Sequence, residues 1–193
     1  MSRTSAGRHE VPHPLTRWPW RPPPAPPRPE AFSGRVVLLA SEGRALPQDA
    51  VDLAVRLART SGAEVHVLSI ARIWGSALGL PHPGLMPNRR EWQAQRDRVA
   101  EAVTRLQGRD VPATGQVVSA RNAARRILAE ARRRGADAIV MAADPPRHWL
   151  LAGMIWSQEP HRVRRLARLP VYLVGAGSKG TPGSIRSAGR ESA

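Results

Sequence analysis

The sequence predicts a doubly wound α/β domain built on a parallel sheet. Three observations carry that expectation. Short apolar runs without alternation, such as RVVLLA at residues 35–40, have the composition of strands buried on both faces. Segments of helical periodicity lie between them, so strands and helices take turns along the chain. Small-residue turns close two of those helices, at Ser61–Gly62 and at Gly135, where glycine accepts the left-handed backbone that ends a helix.

The elements follow in order. After RVVLLA, Pro47 opens a helix, since a proline near the first turn loses no hydrogen bond. Ala50, Leu53, Ala54, Leu57 and Ala58 then fall on one helical face. EVHVLSIA (64–71) is the second strand. A long connection, residues 72–88, is broken by Gly and Pro, and Asn88 with Glu91 forms a capping-box pattern. The next helix turns Trp92, Val99, Val103 and Leu106 inward. ATGQVVSA (113–120) is a weaker, shorter strand placed nearer an edge. Residues 122–134 form a helix with Ala124, Ile127, Leu128 and Ala131 on its buried stripe and most of its arginines toward solvent. DAIVMA (137–142) is a strand, Ser157–Arg168 a helix with Val163, Leu166 and Ala167 inward, and PVYLV (170–174) the last strand.

The flanks have another composition. Residues 1–32 include RWPWRPPPAPPRPE, which is restricted to extended, polyproline-like backbone, and residues 175–193 are rich in Gly and Ser. Both are expected to be tails around a domain at 33–174. The first is expected to be a disordered spacer, or else a docking segment anchored by Trp18 and Trp20.

Of the 193 residues none is Cys, which excludes disulfides, Cys-ligated metal sites and thiol catalysis. No apolar run is long enough to span a membrane and the amino-terminal segment has no signal-peptide core, so a cytoplasmic protein with no membrane insertion is expected. The net charge of +15 comes almost wholly from arginine and is spread along the chain rather than set in one patch. With no recognition module and no aromatics among the basic residues, specific nucleic-acid binding is not expected. The histidines show no metal-ligand spacing, so no metal is expected, and His66 is expected to be a core histidine with a polar partner. GAGSKG (175–180) spells a dinucleotide fingerprint, but Thr181-Pro182-Gly183 follows where a helix would have to begin. Trp74, Trp149 and Trp156 fall in the two long connections, as caps on the core or as part of an apolar lid. No catalytic residue can be argued: Ser41 beside Glu42 lacks a nucleophile elbow, and activity is left only as weak nucleotide hydrolysis.

In sheets of this kind ligands bind beyond the carboxyl ends of the strands, where the strand order reverses. That rule nominates Ala40, Ser41 and Glu42 after the first strand and Ala142 to Asp144 after the fourth.

Four stretches carry a family resemblance: VVLLASEG (36–43), AVDLAVRLARTSGAEVHVLSI (50–70), ILAEARRRGADAIVMA (127–142) and HRVRRLARLPVYLV (161–174). In order and spacing they resemble the universal stress protein family. The resemblance implies a five-stranded parallel sheet of order 3-2-1-4-5, a homodimer through the last strand (Val171–Val174), and, in nucleotide-binding members, ATP held by a glycine loop after the fourth strand. There the sequence departs from the family. Ala142 and Pro145 stand where the loop glycines belong, WSQ (156–158) replaces a Gly–Ser pair, and Glu42 replaces the usual Asp. Prolines cannot donate N–H groups to phosphate, and Asp144 adds negative charge. The leading expectation is therefore a regulatory or scaffold protein of the stress response whose cleft has lost its phosphate loop. The alternative is an ATP-binding or other small-ligand site using Glu42, the backbone near Ile70, Ala142, Asp144, Arg147, and Ser157 or Gln158. A third is an adaptor that docks a partner through its proline-rich tail.

Overall fold

The structure is a computed structural model that describes residues 25–73, 89–143 and 158–175. Strand β1 (Val36–Ser41) is buried from Val37 onward and pairs in parallel with two neighbours, β2 (Glu64–Arg72) and β4 (Ala138–Ala143). Strand β3 (Ala113–Ala120) adds to β2 and β5 (Val171–Gly175) to β4, giving the order β3-β2-β1-β4-β5. All four pairings are parallel, as expected where helices cross between successive strands.

Alternate side chains of the sheet feed two cores. Val37, Leu39, Val65 and Val67 face helices α1 (Gln48–Ser61) and α2 (Arg89–Gln107). Leu38, Ala40, Leu68 and Ile70 face α3 (Ala123–Arg134) and α4 (Glu159–Leu166). The helix ends carry the expected chemistry. Pro47 is the N-cap of α1 and Gly62, at φ 71°, its C-cap. Asn122 accepts a hydrogen bond from the Arg125 amide at 3.0 Å, and Gly135, at φ 63°, closes α3.

Several expectations need correction. Packed chain begins before residue 33: Pro29–Ala31 form a 3-10 turn with Pro29 buried, and Phe32 lies in the core over α1. It also runs past 174, because Gly175 pairs with Ala143. β3 does lie at an edge, but its eight residues make it longer than β1. Its weakness is one of burial: none of its eight residues is fully buried, even on the side where α2 packs. Trp92 is half-buried, Val103 is partly buried against the core, and the fully buried residues of α2 are Val99, Ala102 and Leu106. α4 is shorter than expected, ending at Leu166 with Ala167 extended, and Val163 faces inward whereas Leu166, expected inward, is 49% exposed. Trp18, Trp20, Trp74, Asn88, Trp149, Trp156 and residues 176–180 lie outside the described residues. Among the described residues no helix is long and apolar enough to cross a membrane.

His66 has more neighbours than the one partner expected. Its Nδ1 lies 2.5 Å from the Thr114 hydroxyl and 3.3 Å from an Arg134 nitrogen, and its Nε2 3.2 Å from Glu64. Burial, and then the Arg134 charge, hold its pKa below the usual histidine value.

Candidate functional site

The strand order reverses between β1 and β4, so the crevice opens where Ser41 ends one strand and Ala143 the other. The chain leaves β1 in a tight turn. Ser41 Oγ donates to the Arg44 carbonyl at 2.5 Å, and Gly43 takes φ 97°. Glycine is needed there twice over: besides the left-handed φ, a Cβ would stand 2.9 Å from the Ile70 carbonyl oxygen. The turn is also tied to α2. Arg98 donates to the Gly43 carbonyl at 3.1 Å, and Gln95, whose Oε1 accepts from Ser69 Oγ at 2.8 Å, lies alongside.

This turn folds Arg44 back over Glu42. The Glu42 side chain is 4% exposed and its Oε1 lies 2.9 Å from an Arg44 nitrogen. The contact is an ion pair without hydrogen-bond geometry, so neither carboxylate oxygen has a hydrogen bond among the described residues. A buried carboxylate in that state is costly even beside a cation. Replacing Glu42 with glutamine is therefore expected to raise the stability of the ligand-free protein by about 1 kcal/mol, because the desolvation cost falls by more than the Arg44 attraction lost. Urea midpoints of the two proteins check this, and a clear loss of stability in the variant would show the ion pair to be net favourable.

The residues named from the sequence do not all meet. Ala40, Ser41, Glu42 and Ala142 line one small hollow, joined by Arg44 and Leu46. The hollow measures about 10 Å³. Ile70 is not in its lining: its side chain is in the core beneath α3, and its carbonyl faces the Gly43 turn. Gln158 is exposed at the N-cap of α4 and its side chain caps nothing. Asp144, Arg147 and Ser157 lie outside the described residues. Arg44 and Leu46 went unrecognised in the sequence because only the left-handed Gly43 turn brings them over the strand end. Ser41 is committed to that turn rather than poised as a nucleophile.

Two carboxylates that the sequence did not single out organise the other face. Glu159 reaches from α4 to accept the Ala124 amide of α3 at 3.0 Å, with Arg72 and Arg162 at 3.7 and 3.9 Å. An acidic side chain thus sits at the positive end of α3. Glu130 is 1% exposed on the inner side of α3 and accepts from Gln116, Arg133 and Arg134. Its place could have been found, since it lies three residues after Ile127 on the buried stripe. A larger hollow of about 410 Å³ runs along Arg89, Trp92, Gln93 and Arg96, but one face of α2 is its whole described wall. Among the described residues no group of three or more His, Asp or Glu is placed to hold a metal ion.

Fold and crevice together define an open, doubly wound α/β protein of the flavodoxin-like kind, with its switch point between β1 and β4. The universal stress protein family model matches residues 34–175, and the chain belongs to that family. Among solved structures, it is similar to a universal stress protein family member from Burkholderia pseudomallei, with 22% identity, a TM-score of 0.54, and 73% of this chain and 96% of that one covered. It is also similar to a universal stress protein from Archaeoglobus fulgidus, at 16% identity and TM-score 0.55 over 73% of this chain and 93% of that one. A third, the Archaeoglobus fulgidus universal stress protein in complex with dAMP, has 16% identity and TM-score 0.53 over 74% of this chain and 98% of that one. At these identities the likeness is one of fold. No curated protein matches the chain significantly.

Proposed function

We propose that this universal stress protein is a regulatory or scaffold protein, not an enzyme, whose switch-point crevice is filled by its own residues and does not seat ATP. One observation carries the reading: among the described residues, the hollow between the ends of β1 and β4, which Arg44 and Leu46 help to line, holds about 10 Å³. Pockets for nucleotide-sized ligands run to several hundred Å³, on the order of 300–1,000. The prolines at 145 and 146 support it, because they remove two amide donors from the segment where a phosphate loop would lie. The proposal includes a homodimer through Val171–Val174, since β5 is one of the two outer strands of the sheet and an outer strand offers an edge for pairing.

A second reading has one observation in its favour. The two Glu42 oxygens are buried without hydrogen bonds and would accept donors from a ligand that displaces Arg44. The adenine nucleotide in the Archaeoglobus fulgidus complex makes an amino-bearing base the natural candidate.

Calorimetric titration with millimolar MgATP, with mass spectrometry of ligands that copurify from the native host, tests the two. The proposal expects no heat of binding and no stoichiometric nucleotide. ATP or ADP at about one per chain, lost on Glu42→Ala, would defeat it and establish the second reading.

A further inference from the structure

The positive charge of the domain is uneven: residues 33–120 carry a net +3 and residues 121–174 a net +7, and the fold gathers much of the second share on one face. The layer formed by α3, α4 and their flanking turns holds ten arginines, six between residues 121 and 135 and four between 158 and 169. It holds two carboxylates, and neither faces outward: Glu130 is 1% exposed and the Glu159 side chain 12% exposed. The opposite layer, α1 and α2 with their closing turns (48–62 and 89–110), holds eight arginines against six carboxylates. Several of those are paired across or along the helices, as in Arg109–Asp52 and Arg105–Glu101. The sheet separates the two layers. One broad face of the molecule therefore carries most of the uncompensated charge of the described residues.

The arginines are placed for contact. Arg125 and Arg132 lie seven residues apart on α3, hence on one side of the helix, about 10 Å from each other. Arg126 and Arg133 repeat that spacing one position on, and Arg164 and Arg165 extend the surface on the neighbouring helix α4. All six are exposed. Guanidinium groups are matched to phosphate oxygens, which they can hold through two hydrogen bonds.

We propose that the α3–α4 face binds duplex nucleic acid through its phosphate backbone, without reading sequence. Charge complementarity selects a polyanion. The lack of exposed Trp, Tyr and Phe in the layer argues against single strands, whose bases stack on aromatic platforms. It argues against a lipid surface too: Leu166 is the one exposed large hydrophobic residue among those described, whereas interfacial helices bury an apolar face. α3 is about 18 Å long, so it passes on the order of ten duplex charges, one per roughly 1.7 Å. The surface is separate from the crevice, so the proposal stands whether or not a nucleotide binds there.

Fluorescence anisotropy with a labelled duplex of arbitrary sequence tests this on the full chain, across a series of NaCl concentrations. Wild type should bind more weakly as salt rises, with a steep log–log slope. A variant with Arg125, Arg132, Arg164 and Arg165 replaced by Ala should lose about 30-fold or more in affinity at low salt and up to about 3.6 units of slope, at roughly 0.9 per phosphate contact. A charge-matched control, with Arg59, Arg89, Arg90 and Arg96 replaced by Ala, should change affinity less than about threefold. Equal loss in both variants would overturn the proposal, because net charge alone would then explain binding. So would a wild-type slope near zero, tighter binding to a single strand of the same length, or binding to anionic vesicles in place of the duplex. Melting curves of both variants, whose substituted side chains are on the surface, verify the fold, and the wild-type slope remains a test independent of them.

Discussion

Glu130→Gln is expected to lower stability at pH 7 by about 2–3 kcal/mol and to flatten the acid side of the stability profile. The carboxylate is 1% exposed, and Arg133, which binds both of its oxygens, is the main cause that brings its pKa from 4.5 down to about 2. Burial opposes that shift, and the Gln116 and Arg134 hydrogen bonds reinforce it. The sign follows from linkage. The folded state holds the group ionised more strongly than the unfolded chain does, so its contribution is fully present above the unfolded value of 4.5 and is lost as pH falls toward 2. The arginines are partly exposed, Arg133 by 59% and Arg134 by 26%, and water can rehydrate them in the variant, so the lower part of the range for a broken buried pair applies. Urea unfolding of both proteins at pH 7, 5 and 3 measures the effect. The difference between them should shrink toward pH 3. A gap that stays constant with pH would mean that the carboxylate charge is not what the network stabilises.

Gly115→Val is expected to cost about 1–3 kcal/mol through overpacking between β3 and α2. A Cβ at this position would lie 2.4 Å from Val99 Cγ1 and 2.9 Å from Val103 Cγ2, both on α2. Val99 is buried and has little room to give. The glycine lets the helix settle on the edge strand, and the edge strand has no second neighbour to hold its register. Adding Val99→Ala should recover part of the loss, since it removes the methyl groups that collide. Thermal melts of the single and double variants check this, and full additivity of the two substitutions would rule out the steric explanation. Because α2 also supplies Gln95 and Arg98 to the Gly43 turn, a displaced helix should loosen the rim of the crevice.

Much of the framework is local and was legible for that reason. The apolar run at Val37–Ala40, the stripe from Ala50 to Ala58 and the glycines after α1 and α3 each report a backbone state through neighbours a few residues away. A residue three positions along a helix is on the same face whatever the rest of the chain does. Gly115 was a different case. Within ATGQVVSA it weakened the signal for a strand, and nothing nearby showed that a valine from α2 would occupy the space of its missing side chain.

The crevice was legible in place but not in content. Strand reversal located Ser41, Glu42 and Ala142, whereas the Gly43 turn decided that Arg44 and Leu46 would line the same hollow. Charge was the least legible property. A count over the whole domain hides that its net charge is +3 before residue 121 and +7 after it, and Glu130 looks like one more surface carboxylate in a basic helix.

From the sequence alone came the order of elements, the ends of α1 and α3 and the family, because each depends on short-range periodicity or on spacing summed over the whole domain. Only the folded chain decided that Glu130 turns inward, that Arg44 covers Glu42 and that one helical layer keeps its positive charge uncompensated. Those outcomes depend on which distant segments the sheet brings face to face, and electrostatic and packing energies are set by distance in space rather than along the chain.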